Sequence, residues 1–282
     1  MNKDAKYSHS FVCSDTSTGK IVWIDHDGNV VKELVAEGAC FDIWSMPDGK
    51  FLYNHYAGAK GDGFTVLNED GSLFLQYHTK GEVFCCQPLE NSNVLVGELG
   101  TKRLVEVNSR GEIVEEIPVP YEGVQHECMR MVRKIKDTYV VVQPGLNKIR
   151  KMSETGGVIC EYDIRADAFG VVCRSNGNLV YTCKSGAYEI NEDGKEVWSL
   201  EDRDIPGINI RWLLGIQLLK NGNLVFTNWM GHGHRDEGIQ FFEVSPDKTV
   251  VWTYDGRGVL HTPATLQILD EDATDVCFFP LK

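Results

Sequence analysis

The sequence predicts an all-β protein: a six-bladed β-propeller closed by N- and C-terminal strands that share a blade, with seven blades as the alternative. Two observations carry this. An apolar strand, a polar turn and a second apolar segment recur along the whole chain in two interleaved sets. The two ends of the chain are complementary fragments of that unit, and no stretch shows a long helical stripe.

The first set reads WIDHDGNVVKEL, VLNEDGSLFLQY, EVNSRGEIVEEI, KMSETGGVICEY, EINEDGKEVWSL and EVSPDKTVVWTY, with turns at Gly28, Gly71, Gly111, Gly156, Gly194 and Lys248. The second reads DIWSMPDGKFLYN, FCCQPLENSNVLVGE, MRMVRKIKDTYVVVQ, GVVCRSNGNLVYTC, LGIQLLKNGNLVFTN and LQILDEDATDVCFF, with turns at Gly49, Ser92, Lys136, Gly177, Gly222 and Asp272. Each period of about 45 residues therefore holds four short strands with Asp-Gly or Asn-Gly corners. Four-stranded units in tandem hide their edges by closing a circle. The start, HSFVCSD, reads as a second strand, and the final unit supplies a first. Residues 1–282 are expected to form a single propeller domain.

The 282 residues are 42% hydrophobic and 24% charged, an ordinary composition with material for a sizeable core. No apolar run is long enough to span a bilayer. The start, MNKDAKYSHS, lacks the apolar run of an export signal, so a cytoplasmic location is expected, or a periplasmic or secreted one if a signal was removed. The nine cysteines have no framework spacing and mostly sit in apolar runs, which predicts reduced core thiols. The net charge is −13, with 28 basic against 41 acidic residues, and there is no polybasic run. That composition argues against nucleic-acid and membrane-surface partners.

Strand order assigns faces. Turns between second and third strands, together with the links between blades, share one face, here the top. The longer loops fall there, at 54–64, 117–127, 201–212, 228–238 and 255–264, as do six of the eight histidines: His55, His78, His126, His232, His234 and His261. Loops over a rigid scaffold concentrate binding residues. Gly-Val-x-His occurs twice, at 123–126 and 258–261, each before an innermost strand, so His126 and His261 are expected on opposite sides of the channel mouth. The matching positions elsewhere are Ala39, Glu82, Asp167 and Arg211. Two chemistries fit this ring. One is a divalent metal held by imidazoles and carboxylates, with His232 and His234 as ligands. In the other, His126 or His261 is a general acid/base or nucleophile, and Arg211 holds an anionic group. His55, Tyr56, Glu82, Asp167, Trp212 and Trp229 are candidates for lining a ligand site, the aromatic faces suiting a sugar or aryl ring.

The repeats resemble those of quinoprotein-like and arylsulfotransferase-like β-propellers. The likeness rests on NEDGKEVW (191–198), SPDKTVVW (245–252) and KNGNLVFTNW (220–229), which is followed by a His and then LQILDEDA. It implies a channel-mouth His that takes a sulfuryl group while neighbouring His and Arg residues hold it, roles that would fall on His126, His261 and Arg211. Docking tryptophans follow the turn between third and fourth strands, where Trp198 and Trp252 sit. Trp23, in the quinoprotein-like stretch SDTSTGKIVW, is on a third strand and out of phase, which argues against a quinone cofactor. The expectation is a top-face pocket that binds, and as a transferase, lyase or hydrolase acts on, a small anionic or carbohydrate-like ligand. A non-catalytic ligand- or protein-binding propeller is the alternative.

Overall fold

The computed structural model describes residues 8–235 and 237–270, and these form six four-stranded antiparallel sheets. Blade I is ordered β24 (Pro263–Ile268), β1 (Phe11–Asp15), β2 (Lys20–Ile24), β3 (Val30–Val35), and so combines strands from both ends of the described chain. Blade II holds β4 (Ile43–Ser45), β5 (Phe51–His55), β6 (Asp62–Leu67) and β7 (Leu73–Thr79). Blade III holds β8 (Cys86–Pro88), β9 (Val94–Glu98), β10 (Arg103–Val107) and β11 (Ile113–Pro118). Blade IV holds β12 (Val132–Ile135), β13 (Thr138–Gln143), β14 (Lys148–Ser153) and β15 (Val158–Asp163). Blade V holds β16 (Val171–Cys173), β17 (Leu179–Cys183), β18 (Gly186–Ile190) and β19 (Glu196–Glu201). Blade VI holds β20 (Leu213–Leu218), β21 (Leu224–Asn228), β22 (Phe241–Val244) and β23 (Val250–Tyr254). The innermost strands touch in the cycle β24, β4, β8, β12, β16, β20 and back to β24, so the sheets stand in a ring. The chain is a six-bladed β-propeller.

The turn positions read from the repeat are the ones that need left-handed backbone. Gly28, Gly71, Gly111, Gly156, Gly194, Gly49, Gly177 and Gly222 all have positive φ, as do Ser92, Lys136 and Lys248. Asp272 lies outside the described residues. Each turn between third and fourth strands is followed by one bulge, for example at Trp23/Ile24 in blade I and Glu243/Val244 in blade VI. A type I turn closed by a left-handed residue and a bulge is the usual geometry of such a loop.

Burial explains the strand patterns. The second strands β1, β5, β9, β17 and β21 are buried at every position, because neighbouring blades cover both faces. The outer strand β3 is mostly exposed. Trp198 and Trp252 sit on the fourth strands β19 and β23, and the Trp198 indole donates to the Pro246 carbonyl of the next blade at 3.0 Å. Trp23 lies on the third strand β2, against Phe51 of blade II.

Glutamines on innermost strands stitch blades together. Gln87 donates to the Lys134 carbonyl (3.2 Å) and accepts from its N–H (2.7 Å). Gln267 accepts from the Ser45 N–H, and Gln217 from the Ile268 N–H. The described cysteines are free, all buried but the half-buried Cys160, and burial pushes the Cys85 thiol up to about 12. Cys277 lies outside the described residues. No helix among the described residues is long and apolar enough to cross a membrane.

Candidate functional site at the channel mouth

Three aromatic rings pack together where the links between blades enter the innermost strands. Phe41, Phe84 and Phe169 come from the segments leading into β4, β8 and β16, and their centroids lie 5.1 Å (Phe41–Phe84), 5.9 Å (Phe41–Phe169) and 6.1 Å (Phe84–Phe169) apart. Blades II and V stand opposite each other, so the Phe41–Phe169 contact crosses the axis. All three rings are buried, and they make an apolar floor.

Buried polar side chains at the tops of second strands hold the segments that carry the floor and the mouth. The Asn54 carbonyl oxygen accepts from the N–H groups of Phe41 (2.8 Å) and Asp42 (2.9 Å), while its amide donates to the Val83 carbonyl (2.7 Å). Asn228 accepts from Arg211 and Trp212, and Asp15 from His261 and Thr262. Burial disfavours the Asp15 carboxylate, but bonds from His261, Ser17 and Thr262 outweigh it and hold its pKa below the ordinary value.

Above the floor, between blades II, III and IV, a polar cluster gathers. Nδ1 of His126 lies 3.0 Å from Oε1 of Glu82, and the Tyr56 hydroxyl donates to the same oxygen at 3.3 Å. The other oxygen, Oε2, is buried without a hydrogen-bond partner among the described residues. Tyr56 stacks on Phe84 at 4.8 Å; burial and then the Glu82 charge raise its pKa, so the phenol stays a donor. Arg130 completes the cluster. Its guanidinium lies over the Phe84 ring at 4.6 Å and donates to the carbonyls of His126 and Met129. Among the described residues no carboxylate comes within ion-pair distance of it. Burial lowers the Arg130 pKa against the pull of Glu82 and Glu127, and a guanidinium stays charged regardless.

The other sequence candidates are placed as follows. His261 leads into blade I, three places round the ring from His126 in blade IV, and its half-buried imidazole has no hydrogen-bond partner among the described residues. Arg211, expected to hold an anion, is already paired with Glu237 at 2.7 Å, and Glu237 also binds His234 at 2.9 Å. Asp167 is exposed, with left-handed backbone (φ 59°), and its carbonyl takes the Trp212 indole N–H. Trp212 and Trp229 meet edge to face at 5.8 Å, and His232 packs on Trp229 at 5.0 Å. Their rings are thus largely engaged with one another. His232 and His234 do not join a third metal-ligating side chain among the described residues.

His55 is not a mouth residue. It is fully buried at the end of β5, beside His78 of β7 and Glu37 of the link between blades I and II, and only this trio among the described residues has metal-ligand spacing. Burial lowers the His55 pKa, and the nearby His78 acts in the same direction. Sequence reasoning missed Arg130 and Glu37. Arg130 follows His126 by four residues, and the short 3-10 turn at Gln125–Glu127 brings its guanidinium back to the His126 carbonyl. Glu37 carries no repeat signature.

No protein-family model matches the chain, and no curated protein matches it either. Solved structures do. A protein of unknown function from Bacteroides caccae aligns with 94% of this chain and all of its own at 20% identity, with a TM-score of 0.81. A catalytically inactive virginiamycin B lyase from Staphylococcus aureus, solved with quinupristin, aligns over 91% of this chain and 87% of its own at 15% identity and a TM-score of 0.62. The structure of a nidogen/laminin complex matches over 94% and 99% at 10% identity and a TM-score of 0.64. At these identities the likeness is one of fold.

Proposed function

We propose that the top face binds a small hydroxylated anion at the channel mouth and transfers a proton to or from it. The observation that carries the reading is Arg130, a half-buried cation with no carboxylate within ion-pair distance among the described residues, beside a Glu82–His126 pair. Arg130 takes the anionic group, for which its planar donor fork is suited. Oε2 of Glu82 accepts from a ligand hydroxyl, giving that buried atom the partner it lacks. His126 is oriented through Nδ1 by Glu82, which leaves Nε2 to exchange a proton with the ligand, the division of labour of a carboxylate–imidazole pair. The aromatic floor of Phe41, Phe84 and Phe169 excludes water from below and strengthens these interactions.

An anion held by Arg130 through a carboxylate makes the adjacent C–H more acidic, so lyase chemistry suits the cluster best among the transferase, lyase and hydrolase readings. The fold likeness to virginiamycin B lyase agrees with this direction; the roles first read onto His261 and Arg211 pass to Glu82 and Arg130.

Thermal-shift titration with D-glucuronate, D-galacturonate and citrate, and with neutral glucose as control, tests it. At least one anion should raise the melting temperature of the full chain and fail to do so with Arg130→Gln. An anion response unchanged in Arg130→Gln, or no response to any of the three, overturns the assignment.

A further inference from the structure

We propose that Glu37, His55 and His78 form a binding site for a divalent transition-metal ion of the zinc type at the top of blade II. His55 pairs with Gly63 across β5 and β6, and Gly63 pairs with His78 across β6 and β7. The row is therefore His–Gly–His over three strands, and side chains in one row share a sheet face. Gly63 leaves the middle place empty: a Cβ there would collide with the Tyr77 carbonyl and meet His55 Cε1 at 3.2 Å. The two imidazoles lean across that gap, 5.0 Å apart and tilted by 48°, which is not a stack.

Glu37 closes the third side. Its Oε1 is taken by Lys60 (3.1 Å) and by Gln76 (3.0 Å), which leaves Oε2 turned to the imidazoles, 3.8 Å from Nε2 of His78. One ligand atom from each of the three residues lies within 4.8 Å of the other two. Tetrahedral zinc with bonds of about 2.0–2.1 Å places its ligand atoms about 3.3 Å apart, so each moves inward by about an ångström on binding.

The hydrogen-bond accounts suit a cation as the shared partner of these side chains. Oε2 of Glu37, Nε2 of His55 and both ring nitrogens of His78 are buried atoms without a hydrogen-bond partner among the described residues. Buried polar groups in folded proteins are almost always satisfied. Nδ1 of His55 lies 3.2 Å from the Gly61 carbonyl, which fixes the proton on Nδ1 and leaves the Nε2 lone pair free. That is how metal-binding histidines are oriented. Two imidazoles and one carboxylate are the donor set of zinc and similar divalent ions, and the partial exposure of His78 (28%) and Glu37 (25%) leaves room for water as a further ligand.

Metal here would clip two segments that the fold already pairs. Ala39 and Tyr56 exchange both backbone hydrogen bonds, 2.9 and 2.8 Å, directly beside Glu37 and His55. The site stands on its own residues and does not depend on the Arg130 reading.

The test uses the full chain stripped with chelator and titrated calorimetrically with Zn²⁺, with Co²⁺ as a visible-absorption probe. The expected result is one equivalent per chain and a four- or five-coordinate Co²⁺ spectrum. Affinity should fall by about 100-fold in His78→Ala and in Glu37→Gln, both on partly exposed side chains, and stay unchanged in His234→Ala. Absence of saturable Zn²⁺ binding, or binding that survives His78→Ala within a few-fold, overturns the proposal. So does binding lost in His234→Ala, which would move the metal to blade VI.

Discussion

Asn54 is the side chain through which the fold most directly builds the site, and Asn54→Ala measures that. The residue is fully buried, and its amide satisfies two backbone N–H groups, of Phe41 and Asp42, and one carbonyl, of Val83. Alanine leaves all three without a partner in a space that admits at most one water. Each stranded group costs about 1–3 kcal/mol; with partial rescue by that water the total is about 3–5 kcal/mol. For a chain of this size the melting temperature falls by roughly 10 °C. The same bonds seat Phe41 and the segment before Phe84, so the aromatic floor loosens as well. Thermal unfolding followed by circular dichroism reads the effect, with the exposed Asn29→Ala, expected within about 0.5 kcal/mol, as control. A cost below about 1 kcal/mol for Asn54→Ala would refute the view that these amides hold the links between blades.

Other predictions follow from single positions. Lys136 adopts a left-handed conformation at an exposed turn (φ 55°), so Lys136→Gly should raise stability by about 0.5–1 kcal/mol in denaturant titration. Gln87→Ala removes both amide bonds between blades III and IV and should destabilise by about 1–3 kcal/mol in the same assay. The buried His9 lies 2.7 Å from Glu243 and 2.5 Å from Asp270. Burial works against its charge, but the two carboxylates outweigh it and raise its pKa. Its contribution is thus complete below the unfolded value of 6.5 and declines as pH rises through the higher folded one; His9→Gln should remove that part of the pH dependence of the melting temperature. Asp15 behaves in the opposite sense: its pKa is depressed, so its contribution is present above the ordinary carboxylate value and is lost as pH falls through the folded one. Asp15→Asn should flatten the acid limb of the stability curve.

Blade number and strand order were legible in the sequence because the turns have a strict backbone requirement. Gly28, Gly177 and Gly222 sit where φ is positive, and even Ser92, Lys136 and Lys248, which break the glycine pattern, were placed by their spacing. The site was legible only in part. His126 and Glu82 fall at equivalent link positions, and the structure brings them into contact. Arg211 occupies an equivalent place, yet Glu237, from a loop with no repeat register, neutralises it. Arg130 reaches the mouth through a 3-10 turn that the strand period does not encode. His55 and His78 looked like separate top-face histidines; that they are neighbours depends on strand register across Gly63, a pairing that one chain read linearly does not reveal.

The most direct test of the central claim is a crystal of the full chain soaked in D-glucuronate. The account predicts the sugar acid at the channel mouth over the Phe84 ring, its carboxylate on the Arg130 guanidinium, a hydroxyl on Oε2 of Glu82, and Nε2 of His126 facing the carbon beside the carboxylate. Glucuronate bound at Arg211 and Glu237 instead, or a mouth with no bound sugar acid at saturating concentration, would contradict it.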